Sequence, residues 1–217
     1  MSEDMLREVV RELPGLLQDF LKKVFGEKGK EWLDAFKRFL RKENPWPKTV
    51  GSKPATQTPR LLKFVKSIEL PAIGEFSPKD YFKVIPQEDR GTADVIIGYI
   101  HPNLQSLLYS AGIEPAKNAE TLRIRCLLVP SVDGPILANL GKKAKTTFGR
   151  MWQMMEKQGR GQEGDLLVNG CANIFYIEGT AWAVFCYWLA SGGGWDVGAD
   201  PVTYPGRWSD GRHVVSR

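Results

Sequence analysis

The sequence predicts an α+β protein: an N-terminal amphipathic helical hairpin, then a mostly antiparallel sheet with a few helices against one face, closing in a C-terminal β-meander. Three observations point there. Apolar residues recur at helical spacing through residue 40, a proline-rich stretch without any period follows, and from residue 61 the apolar residues fall into short runs separated by turn residues. The boundaries that follow are a helical hairpin over 1–43, a linker over 44–60 and an α+β domain over 61–217.

The first helix is carried by Leu6, Val9, Val10, Leu13, Leu16, Leu17, Phe20, Leu21 and Val24. Ser2 is its candidate N-cap, and its acidic first turn and the late Lys22 and Lys23 suit the helix dipole. Pro14 removes a backbone donor, so a kink or a helix restart is expected there. Gly26 and Gly29 mark a turn, and Trp32, Leu33, Phe36, Phe39 and Leu40 give the second helix its apolar face. The stretch "NPWPKTVGSKPATQTP" holds four prolines and reads as an extended connector.

Beyond it, "LLKFVKSIEL", "DVIIGYI", "TLRIRCLLV", "ANIFYIE", "TAWAVFCYWLA", "GWDVGADPV" and "RHVVS" read as strands. Between them "SPKDYFKVI", with Ser77 as cap and Pro78 at the first helical position, "HPNLQSLLYSAG" and "KAKTTFGRMWQMMEKQG" read as helices. In the tail, period-two alternation puts Trp182 and Trp188 on one face of a strand and Phe185 on the other. Trp195 and Trp208 follow glycine turns and are the tryptophans expected at the surface.

Composition bounds the function. A hydrophobic fraction of 42% with 25% charged residues argues against disorder, and no run approaches the roughly 18 apolar residues of a spanning helix. Glu3 and Asp4 stand where a signal peptide would carry basic residues, so a cytoplasmic protein is expected. Cys126, Cys171 and Cys186 are odd in number and sit in apolar settings, as reduced, buried thiols do. The net charge of +5 is a weak attraction for polyanions.

Two distant histidines and no Cys-x-x-Cys or His-x-x-x-His give zinc too few ligands, and no metal is expected. Neither "GEKGK" nor "DGPILANLGKKAKTTFG" has a phosphate-loop spacing and there is no Gly-x-Gly-x-x-Gly, so no cofactor is expected either. No carboxylate pair stands out among 25 acids. For nucleophilic catalysis the candidate is Cys171 after the Gly170 turn, with His101 or His213 as base and Asp196 and Asp210 nearby in the tail.

Polyanion binding has more support. Lys142, Lys143, Lys145, Arg150, Lys157 and Arg160 surround Phe148 and Trp152, and basic groups neutralise phosphates while aromatics stack on bases. If residues 146–158 form a helix, Phe148, Trp152 and Met155 share one face, which serves a core as readily as a base platform. The N-terminal helices offer a second surface, through Phe20, Phe25, Trp32, Phe36 and Phe39, for a protein partner or self-association.

The stretches "EWLDAFKRFLRKENPWP" and "GWDVGADPVTYPGRWSDGRHVVSR" resemble segments of short bacterial proteins known from candidate-phylum genomes. The tail of that family commonly reads Arg-Val-Phe-Ser-Arg; Arg212, Ser216 and Arg217 match it, whereas His213 and Val215 depart from it. The resemblance implies an intracellular bacterial protein and transfers no catalytic or binding residue. The expectation is therefore an interaction protein, binding a protein partner or self-associating, with weak, non-specific nucleic-acid contact. The alternative is a small hydrolase or transferase with its site near Cys171 and His213.

Overall fold

The computed structural model describes residues 21–27, 29–41 and 60–217. The chain divides into two units, Met1–Gln57 and Thr58–Arg217. In the first, residues 21–24 are helical, a turn follows, and α1 spans Gly29–Leu40. Glu31 opens α1 and Lys37 and Arg38 close it, in the sense the helix dipole favours. The ammonium of Lys23 stands 4.7 Å over the ring of Trp32, a cation–π contact that ties the preceding helical turn to α1. The expected kink at Pro14, the position of Phe20 and the connector over 44–59 lie outside the described residues.

The second unit contains β1 (Leu62–Leu70), α2 (Pro78–Tyr81), β2 (Ile97–Ile100), α3 (Pro102–Ser110), β3 (Glu120–Leu127), α4 (Asp133–Leu140) and β4 (Lys145–Thr146). It continues with α5 (Phe148–Glu156), β5 (Asn173–Ile177), β6 (Trp182–Leu189), β7 (Gly194–Pro201) and β8 (His213–Ser216). The eight strands make one sheet in the order β1-β3-β8-β5-β6-β7-β2, with β4 also on β5. An α+β architecture is therefore observed.

The sheet is mixed and not mostly antiparallel. β2 on β7, β4 on β5 and β8 on β5 are parallel pairs. The expected meander holds only for β5, β6 and β7, which pair antiparallel in sequence order. After β7 the chain crosses the sheet and returns as β8 between β3 and β5. That slot is central, and the side chains match it: Val214 and Val215 are fully buried on opposite faces, and every residue of β5 is buried.

Helices cover both faces, where one was expected. On the first face Leu104, Leu107 and Leu108 of α3 and Phe148, Met151, Met154 and Met155 of α5 pack with Phe175, Val184, Val197 and Val215. On the second, Ile136 and Leu137 of α4 and the indole of Trp208 pack with Ile174, Tyr176 and Val214. Trp182 and Trp188 belong to the first face and Phe185 to the second, as strand alternation requires.

Trp195 is fully buried, against expectation. It is the second residue of β7, and alternation along the strand puts it with Val197 and Ala199 on the first face, in the core. Its indole N–H donates to the carbonyl of Gln158 at 3.1 Å, and its ring meets Trp188 edge-on at 5.5 Å. Gly161, at φ +71°, lies against the ring of Trp188, where a side chain would collide. Trp208 is half-buried.

Candidate functional site

β3 and β8 run antiparallel, so the start of one and the end of the other meet at a single edge of the molecule. Arg123 pairs there with Ser216, and the backbone N–H of Arg217 donates to the carbonyl of Lys143 at 2.9 Å. This last bond pins the turn Gly141–Lys143, which follows α4, against the end of β8. The result is an open cleft of about 490 Å³ lined by Glu120, Thr121, Arg123, Lys142, Lys143 and Arg217.

Its acidic groups are already engaged. Glu120 sits 3.5 Å from the guanidinium of Arg150 and 3.8 Å from that of Arg217. Glu178 next to the cleft accepts from Arg217 at 2.8 Å and from Lys117 at 3.3 Å. Among the described residues no carboxylate pairs with Arg123, Lys142 or Lys143. Arg125, two residues along β3, has its pKa lowered by burial and by the neighbouring charge of Arg123. Like charges are held together here, a situation an anion would relieve.

The basic segment read from the sequence is divided by the fold. Lys142 and Lys143 are exposed in the cleft, whereas Lys145 donates to the carbonyl of Thr180 at 2.6 Å. Arg150 is fully buried: it donates to the carbonyls of Pro71, at 2.6 Å, and of Asn118, and to Gln153 Oε1 at 2.7 Å. Trp152 meets Tyr81 and Phe82 edge-on, each at 5.4 Å, and packs against the core. Lys157 and Arg160 are exposed beyond the far end of α5, about 13 Å of helix away. The N-terminus of α5 is filled from within: Glu114 accepts from the N–H groups of Phe148 and Gly149, both at 2.8 Å, and Thr147 caps Arg150. Arg123, which the sequence did not single out, and Arg217, which it marked only in the tail and without specific geometry, take the place of Arg150 in the cleft because strand register brings them there.

The catalytic candidates are not gathered into one site. Cys171 is half-buried just before β5, and the His213 N–H donates to the carbonyl of the adjacent Ala172 at 3.2 Å. Asp196 lies on β7, three strand spacings or about 14 Å from β8, and on the opposite face. Asp210 is exposed in the turn before β8. Burial pushes the Asp196 carboxyl up, against the pull of His101, Tyr187 and Arg90, so its surroundings are those of His101.

A different cysteine faces His213. One cross-strand row reads Lys63, Cys126, His213, Asn173, Cys186 from β1 to β6. Residues directly opposite in an antiparallel pair share a face with Cβ atoms about 4.5–5.5 Å apart, so Cys126 and His213 are side-chain neighbours. Both are half-buried, while Cys186 is enclosed and its thiol pushed up by burial. Burial first, and Lys66 second, lower the pKa of His213.

Of the Phe and Trp residues expected to meet a partner, the described residues include Phe25 and, on α1, Trp32, Phe36 and Phe39; Trp32 is half-buried and Phe25, Phe36 and Phe39 are exposed. The described residues contain no helix long and apolar enough to cross a membrane and no group of three His, Cys, Asp or Glu fit to hold a metal ion. Comparison of the chain with models of protein families, with curated proteins and with solved structures finds no match.

Proposed function

We propose that the chain is a binding protein whose partner is anionic and is met at the cleft of Arg123, Lys142, Lys143 and Arg217. The observation that carries this reading is an open cleft lined by four cations, three of which, Arg123, Lys142 and Lys143, have no ion-pair partner among the described residues. Arg123, Lys142 and Lys143 keep their charge for phosphates, and the cleft has no aromatic ring for bases to stack on. Binding is then to backbone phosphates and is weak and indifferent to sequence.

Fluorescence anisotropy with labelled duplex and single-stranded DNA and RNA tests this. Three neutralised phosphates imply that duplex affinity falls roughly 40-fold between 50 and 200 mM salt. The double variant Lys142→Glu/Lys143→Glu should abolish binding, while Lys157→Glu should leave it unchanged. Absence of binding at 50 mM salt, or binding indifferent to the double variant, would end this reading.

A second reading, in which a protein partner or a second copy docks on the N-terminal unit, is favoured by the exposure of Phe39 (65%) and Leu40 (64%) on α1. Light scattering on the eluting protein distinguishes monomer from oligomer. Phe39→Glu with Leu40→Glu should dissociate any oligomer built on this face.

A further inference from the structure

We propose that Cys126 is a thiol-exchange site at which His213 takes the thiol proton, with small anionic disulfides as the class of co-reactant. The two side chains face each other across β3 and β8, and both are partly open to solvent. His213 Nδ1 is enclosed and has no hydrogen-bond partner among the described residues, which leaves it open to the thiol proton from across the strand pair. The resting Cys126 thiol makes one weak contact, to the Leu127 carbonyl at 3.6 Å.

The charged and titratable groups around the pair decide what it can take. Lys63 stands opposite Cys126 on β1, and Lys66 follows on the same strand, held by Asp165 at 2.7 Å and by the carbonyl of Gly164 at 3.1 Å. Cys171 lies before β5 next to Ala172, the backbone partner of His213. Lys63 is exposed and has no ion-pair partner among the described residues, so it can meet the carboxylate of an incoming disulfide.

The neighbouring Asn173 argues for exchange over hydrolysis. A hydrolytic Cys-His-Asn arrangement needs the asparagine to orient the imidazole. Here the Asn173 amide accepts from the N–H of Leu167 at 2.8 Å and donates to the carbonyl of Leu167 at 3.0 Å. Exchange has no such requirement. His213 accepts the Cys126 proton, the thiolate attacks one sulfur of the disulfide, the S–S bond breaks as the mixed disulfide forms, and the departing thiolate recovers the proton from the imidazolium. Cys126 is oxidised and the departing half is reduced.

The test uses the full chain with oxidised glutathione at pH 7, following adducts at each cysteine by peptide mass mapping. Cys126 should be modified at least ten-fold faster than Cys171, with Cys186 unmodified. His213→Gln should slow Cys126 by roughly ten-fold or more and leave Cys171 unchanged, which also reports that the fold is intact. If that variant does not fold, Lys63→Glu decides: it should slow the reaction of Cys126 with oxidised glutathione by roughly three-fold or more and leave Cys171 unchanged. Equal rates at Cys126 and Cys171, or a Cys126 rate indifferent to His213 or, where only that variant folds, to Lys63, would overturn the proposal. The anion cleft lies at the other end of the β3–β8 pair, and its test is independent of this one.

Discussion

Trp208 donates its indole N–H to Asp133 Oδ1 at 2.7 Å across 75 residues of sequence. The same oxygen accepts the hydroxyl of Tyr176 at 2.7 Å, so one carboxylate at the start of α4 joins the tail to the central strand β5. The bridge of Ser131 with Trp208, formed by two backbone hydrogen bonds, completes the junction. The long return from β7 to β8 is held down at this point. The glycine-rich tail is therefore part of the core's second face.

Substituting Asp133 separates its charge from its hydrogen bonds. Asp133→Ala leaves two donors without an acceptor, one of them on buried Tyr176, at a cost of about 2–4 kcal/mol. For a domain of this size that lowers Tm by roughly 5–15 °C. Asp133→Asn keeps an acceptor oxygen and removes the buried charge. Burial raises the Asp133 pKa above its ordinary value, with Asp200 adding to the rise and the Trp208 and Tyr176 bonds opposing it. A carboxyl raised in the folded state contributes stability below the unfolded pKa of about 3.9 and loses it as pH climbs through the folded value. Asp133→Asn should therefore match or exceed wild-type Tm at pH 7 and lose that advantage near pH 4, measured by calorimetry.

Arg150 provides the sharpest contrast between charge count and role. Its guanidinium is fully buried, and satisfies the carbonyls of Pro71 and Asn118 while facing Glu120 at 3.5 Å. Arg150→Ala strands those carbonyls and should cost about 2–4 kcal/mol, the range for leaving buried acceptors unpaired. Chemical denaturation should register the loss as a lower midpoint with little change in slope. Nucleic-acid affinity of the protein that remains folded should not change. Loss of affinity with full stability would return Arg150 to the binding surface.

Local patterns in the sequence give element type well and pairing poorly. The α+β class, the helix beginning near Thr147 and the opposed faces of Trp182 and Phe185 follow from periodicity, which is a property of a few adjacent residues. The mixed sheet does not, because β8 reaches its slot through an 11-residue connection whose anchor, Trp208 on Asp133, is a contact at long range. The cleft has the same origin. Lys142 and Lys143 were legible as a basic pair, but Arg123 and Arg217 join them only through the register of β3 with β8. Register likewise places Cys126, and not Cys171, directly across from His213. Burial of Arg150 was invisible because a charge run looks the same whether its members are solvated or enclosed.

Gly198 offers a test of packing on the second face. A Cβ there would overlap the ring of Phe185 and come within 3.0 Å of His101 Cδ2. The Phe185 ring meets Trp208 edge-on at 5.5 Å and His101 at 5.8 Å, so displacing it gives up those contacts. Gly198→Ala should therefore push Phe185 off Trp208 and cost about 1–3 kcal/mol, the usual price of overpacking. Phe185→Leu removes the obstructing ring atoms and carries its own loss of packing, of order 1 kcal/mol. Combined, the two should cost less than their sum by at least about 0.5 kcal/mol, because the collision that dominates the first is absent in the double variant. Strict additivity in urea melts would mean that the Phe185 ring is not what excludes a side chain at position 198.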